Sequence, residues 1–108
     1  MAYTNKITWE NLRSLDAATL TGGHDPIGDP LEHPSYICKL VNNSDTLVTI
    51  SIDGANDIDV APANSFWLYD EDAGNNNEPA IPARTQFYLK GTAGTGNIYL
   101  VTQYRIQR

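Results

Sequence analysis

The sequence predicts an all-β chain: a single-domain antiparallel β-sandwich of about 6–8 short strands with an extended N-terminal arm. Three observations carry this. The 108 residues fit one domain. Six Pro and eight Gly cut the chain into short segments. Those segments alternate with a period of two and recur roughly every ten residues between turn formers, which is the pattern of a sandwich.

Residues 1–13 read as the arm, polar and short, taking a fixed shape when a neighbour receives Tyr3, Ile7 and Trp9. Residues 14–108 read as the sandwich domain. Trp9, Leu12 and Leu15 recur at three-residue steps behind Thr8, an N-cap residue type. Residues 9–20 are therefore either one short turn or an extended segment. Residues 21–34 hold three Pro and three Gly. That composition denies regular hydrogen bonding and predicts a surface loop with one short edge strand at Ile27.

Residues 35–42 alternate Tyr36, Cys38 and Leu40 against Ile37, Lys39 and Val41, then run into Asn42-Asn43-Ser44-Asp45, a strand and a hairpin turn. In residues 47–53, Val48, Ile50 and Ile52 alternate with Thr49 and Ser51. Asp53-Gly54 then signals a hairpin to a partner at residues 57–60. After the break at residues 61–64, Phe66 and Leu68 share one face and Trp67 and Tyr69 the other, a strand covered on both sides. Residues 71–82 form a polar loop. Residues 85–90 alternate Phe87 and Leu89 against Gln86 and Tyr88, and 91–96 read as the tip of a hairpin returning through residues 97–105. The expected core is Leu15, Ile37 or Cys38, Leu40, Val48, Ile50, Ile58, Val60, Phe66, Leu68, Phe87, Leu89, Ile98 and Leu100. A slip of one residue would exchange the faces of any strand.

Thirteen Asp and Glu against seven Lys and Arg give a net charge of −6. No basic footprint exists for a phosphate backbone, so nucleic acid is not an expected partner. Cys38 is the only thiol, which excludes an intramolecular disulfide and a cysteine zinc site and suits a reducing compartment. No stretch approaches the ~20 apolar residues of a membrane helix, and the N-terminus lacks a signal-peptide core, so a soluble protein without a membrane partner is expected.

The candidate chemical sites read as structure. Asp53, Asp57, Asp59, Asp70, Glu71 and Asp72 suggest calcium, but with Asp70 as first ligand Gly74 falls where an oxygen ligand belongs, so turn capping is the better reading. His24 and His33 lack a third ligand at zinc spacing. Ser35 with His33 has no nucleophile elbow. The GTAGTG run at residues 91–96 lacks the Lys-Ser/Thr of a phosphate loop and reads as a glycine-rich turn. No catalytic residue, cofactor or metal is expected. The aromatics fall mostly opposite the expected core, and several on one outer face would make a docking patch. The expected interface set is Tyr3, Ile7, Trp9, Trp67, Tyr69, Tyr88 and Tyr99.

Residues 15–20 (LDAATL), 40–44 (LVNNS), 48–51 (VTIS) with Asp53-Gly54, 62–66 (PANSF) and 88–94 (YLKGTAG) together resemble small proteins encoded by tailed bacteriophages. The resemblance covers residues 14–105. It implies a non-catalytic virion structural protein, either a capsid decoration or cement piece or a head-to-tail accessory component. Such a protein is assembled in the host bacterial cytoplasm, is homo-oligomeric, and docks on phage capsid, portal-proximal or tail proteins. No functional residue carries over, because the shared pieces are turns and core strands. An acidic exterior suits a piece facing away from packaged DNA. The alternative is a receptor- or glycan-binding module of a tail or fibre, stacking sugar on Trp67 and Tyr69 or on Trp9.

Overall fold

The computed structural model describes residues 6–70 and 81–106, and the chain is an all-β sandwich of two antiparallel sheets. The strands are β1 (Lys6–Trp9), β2 (Arg13–Asp16), β3 (Asp25–Pro26), β4 (Ile37–Ser44), β5 (Val48–Ser51), β6 (Asp59–Ala61), β7 (Ser65–Asp70), β8 (Tyr88–Gly91) and β9 (Gly96–Ile106). One 3₁₀ turn, Ala17–Thr19, follows β2, and the Asp16 side chain accepts the Ala18 N–H at its start.

The longest strand, β9, organises the first sheet. β4 lies along one edge of β9 with β7 outside it, while β1 and β2 share the other edge of β9 in succession. Trp9 stands opposite Gln103 and Arg13 opposite Leu100, so residues 10–12 face only residues 101–102. That extra residue is a bulge, which re-aims the side chains around it. The arm therefore joins the sheet from Lys6 onward, and residues 9–20 hold both alternatives, strand at Trp9 and Arg13–Asp16 and one short 3₁₀ turn at Ala17–Thr19. The second sheet runs β3-β8-β5-β6.

Between the sheets lie Cys38, Leu40, Val48, Ile50, Phe87, Leu89, Ile98 and Leu100, all buried as the alternation predicts, with Leu15 packed at their margin. Four expected core residues turn outward: Ile58, Val60, Phe66 and Leu68. In β7 the register decides it. Trp67 pairs with Leu40 and Tyr69 with Cys38, both fully buried, so the two large rings face the core and Phe66 and Leu68 face away. In β6, Ala61 opposite Val48 takes the inner place, leaving Val60 outside. The loop at residues 21–34 supplies what the alternation did not reveal: Ile27 and Leu31 are buried, as are Ala17 and Leu20 around the 3₁₀ turn.

Two expected hairpins are corners. β4 and β5 lie in different sheets, as do β8 and β9, so the turns between them cross the sandwich; β5–β6 is a true hairpin. Asn42-Asn43-Ser44 continues β4, pairing as far as Gly96, and the turn falls after it. Asn42 fastens two corners. Its buried amide donates to the carbonyls of Thr46 at 2.9 Å, Ala61 at 3.0 Å and Pro62 at 3.1 Å, and its own oxygen accepts from Ser44. Satisfying those carbonyls lets the backbone leave one sheet for the other without orphaned polar groups.

Candidate interaction surface

The outward side of the first sheet is built from three rungs fixed by register. Phe66, Val41 and Tyr99 form the first, Leu68, Lys39 and Val101 the second, and Ile37, Gln103 and Trp9 the third. Phe66 is 60% exposed, Leu68 51% and Trp9 59%, and Leu12, in the bulge, is 61% exposed. Both faces of β4, β7 and β9 carry apolar side chains, yet only one can enter the core. The other remains at the surface.

Phe66 and Tyr99 stand on the strands either side of β4, with Val41 between them. They wall a groove of about 510 Å³, with Lys39 toward one end and Asn43 and Asn64 toward the other. Asn64 sits at φ 55° in the turn between β6 and β7, a left-handed conformation that Asn tolerates, and its N–H donates to Ser44 at 3.1 Å. That turn sets the phase of β7, and so sends Phe66 rather than Trp67 into the groove.

Of the residues expected at an interface, Trp9 and Tyr99 lie on this face. Trp67 and Tyr69 pack on the core, and the Trp67 indole N–H donates to Asp59 at the sandwich edge. Tyr88 lies on the outer face of the other sheet, its ring against Gly54, where an added Cβ would come within 3.2 Å. Tyr3 lies outside the described residues, and Ile7 is placed by its pairing with Arg105 alone. Phe66, Leu68, Ile37, Val41, Val101 and Lys39 went unrecognised. Their signal was present in the sequence: strands apolar on both faces exceed what one core can absorb.

The polar clusters serve the fold. Glu10 and Arg13 meet beside the bulge at 2.8 Å. Arg13 Nε donates to the Asp29 carbonyl at 2.7 Å and an η nitrogen to that of Pro30 at 3.1 Å. Glu10 accepts from the His33 N–H at 2.8 Å, from the Glu32 N–H and from the His33 ring at 3.1 Å. The pair thus straps residues 29–33 onto the sheet. Burial works to raise the Glu10 pKa, but Arg13 and the donors of Glu32 and His33 outweigh it and hold the carboxyl below its ordinary value. The His33 ring stacks on Tyr104 with centroids 3.7 Å apart and planes 4° from parallel. Gly28 lies flat on the Arg13 stem at φ 66°, where a Cβ would fall 2.5 Å from Cγ. Only glycine fits there.

Asp53 accepts from the N–H groups of Asn56 and Ala55, both at 2.8 Å, and these bonds push its pKa well down. Asp57 accepts from His24 at 2.8 Å and stands 3.9 Å from Lys90, and the His24 bond leads in lowering its pKa. Among the described residues no three His, Cys, Asp or Glu side chains converge as a metal site. The Asp70 side chain, Glu71 and Asp72 lie outside that description. In the GTAGTG run, Gly94 N–H donates to Ala17 O at 3.0 Å and Thr95 N–H to Asp45 at 2.8 Å, so these donors serve the chain itself. Cys38 is buried against Ser35, and burial pushes its thiol up to about 11, where the reactive thiolate is scarce. No helix among the described residues is long and apolar enough to cross a membrane. Comparison with known families, with curated proteins and with solved structures returned no match.

Proposed function

We propose that this chain is a non-catalytic virion structural protein of a tailed bacteriophage. It docks as a decoration or head-to-tail accessory piece on a larger lattice or ring protein, in multiple copies set by the symmetry of that support. The observation that carries the reading is the bare apolar face of the first sheet, with Phe66, Leu68 and Trp9 each more than half exposed. The sequence pieces that resemble small phage proteins point the same way.

Four strands side by side and about eight residues long span roughly 19 by 26 Å, a projected area of about 500 Å². A patch of that size falls within the ~300–600 Å² of the largest apolar patch on a typical monomer, which is often functional. It is smaller than the ~800 Å² per partner of a standard stable interface. A single contact of this kind is weak, and repetition on a symmetric support makes it persistent. Mass spectrometry of purified virions from the phage encoding the chain tests the role directly. The expected result is the intact chain at a fixed ratio to the major capsid protein; a chain confined to the lysate of infected cells, and absent from particles, overturns it.

A further inference from the structure

We propose that the outward side of the second sheet carries a binding site for a neutral sugar, in the cleft where Asp57 meets Lys90. This goes beyond the docking reading and does not depend on it, since it concerns the opposite sheet.

The cleft follows from the register. Val48, Ile50 and Leu89 are buried in the core, so Thr49 and Lys90, opposite one another on β5 and β8, face outward. Leu47 and Thr92 come two residues further along the same two lengths of chain, and Leu47 is 51% exposed. With Thr46 and Asp57 these residues line a cleft of about 450 Å³. Asp57 enters it from the connection between β5 and β6. His24 Nε2 bonds Asp57 Oδ1 at 2.8 Å and fixes the plane of the carboxylate. The second oxygen, Oδ2, stands 3.9 Å from Lys90 Nζ, which is too long for a hydrogen bond. One hydroxyl oxygen placed about 2.8 Å from each atom bridges that gap, donating to the carboxylate and accepting from the ammonium group.

The lining selects the ligand. A simple cation that reaches Asp57 is repelled by Lys90, and a simple anion that reaches Lys90 is repelled by Asp57, in each case at nearly the same distance as the attraction. A hydroxyl is donor and acceptor at once and suits both groups. Thr46, Thr49 and Thr92 add hydroxyls that serve in either sense. Leu47 supplies an apolar surface for the C–H side of a ring. A carbon ring that bears several hydroxyls therefore meets a complementary group at each edge of the cleft. Because His24 already orients the carboxylate, the ordering cost of binding is reduced. Docking through the first sheet turns this face away from the support and displays the site once per copy, so that weak single contacts add up.

The test is a titration of the full-length, isotope-labelled chain followed by amide NMR shifts. The probes are glucose, galactose, mannose, rhamnose and N-acetylglucosamine, with glycine and sodium acetate as charged controls. At least one sugar is expected to give saturable shifts at Leu47, Thr49, Lys90 and Thr92, with a Kd in the millimolar range for a single ring. Asp57→Asn and Lys90→Met, each shown to be folded by its amide spectrum, should weaken that sugar at least about tenfold, because each removes a charged hydrogen-bonding group. Phe66→Asp, on the first sheet, should leave it unchanged. The absence of saturable shifts with every sugar overturns the inference, and so does a sugar that binds both cleft variants as tightly as the wild type. Shifts centred on Val41, Phe66 and Tyr99 place the sugar on the first sheet and overturn it as well. Tighter binding of glycine or acetate than of any sugar makes the cleft a site for a charged ligand, which also refutes it. The virion role is read separately, by mass spectrometry of particles, and none of these titrations decides it.

Discussion

Glu10 opens a one-residue bulge in the edge strand and Arg13 follows it, and their side chains meet 2.8 Å apart with only 5% and 9% of their surface exposed. The bulge lets both reach the same end of the sandwich, where Arg13 binds the carbonyls of Asp29 and Pro30 and Glu10 binds the backbone of Glu32 and His33. This pair fixes the segment that delivers Ile27 and Leu31 to the core.

Removing one member should cost more than removing both. Arg13→Met leaves the Glu10 carboxylate buried without its cation and is expected to lower stability by about 3–5 kcal/mol. The double variant with Glu10→Gln should recover part of that loss. Urea unfolding of the two single variants and the double variant checks the coupling. Additive losses would mean that the pair is not mutually dependent.

Acid should loosen the fold through the same group. The Glu10 pKa is lowered from 4.5 in the folded state, so the unfolded chain binds the proton more readily. Its contribution is complete above that ordinary value and is lost as the pH falls through the lower folded one. Asp53 and Asp57, also lowered, act in the same sense. Melting temperatures should therefore fall steadily below pH 4.5. Glu10→Gln should flatten that fall without abolishing it, since both aspartates remain.

Gly96 begins β9 at φ 112°, and a Cβ there would lie 2.3 Å from the Asn43 carbonyl oxygen. Gly96→Ala combines a disfavoured backbone with a clash against a strand that cannot move, and should cost about 2–4 kcal/mol. Gly22→Ala, at φ 90° with nothing within 4 Å of its Cβ, meets only the backbone penalty and should cost about 1 kcal/mol. Calorimetry of both variants separates the two effects.

The two faces of β7 can be told apart by stability alone. Trp67 packs on the core and donates to Asp59, so Trp67→Ala should cost about 2–4 kcal/mol. Phe66→Ser, at a position 60% exposed, should change stability by no more than about 0.5 kcal/mol. Reversed effects in chemical denaturation would place β7 in the opposite phase.

What the sequence determined by itself was the strands from β4 to β9 and most of the central core, while the pairing of β1 and β2 with β9 was not in it. Val48 and Ile50, Phe87 and Leu89, Ile98 and Leu100 are buried because period-two alternation is a local property that survives in any sheet. It also announced an excess of aromatic surface, realised at Trp9 and Tyr99. Tertiary structure alone decided the rest. FWLY in β7 is apolar on both faces, so no local pattern could choose its phase; the Asn64 turn and the pairing with Leu40 and Cys38 did. A short turn joins two strands equally well within one sheet or across two, so hairpin and corner look alike until the partners are known. The bulge at residues 10–12 exists only relative to β9, and with it the meeting of Glu10 and Arg13, because register is a relation between strands that no single strand contains.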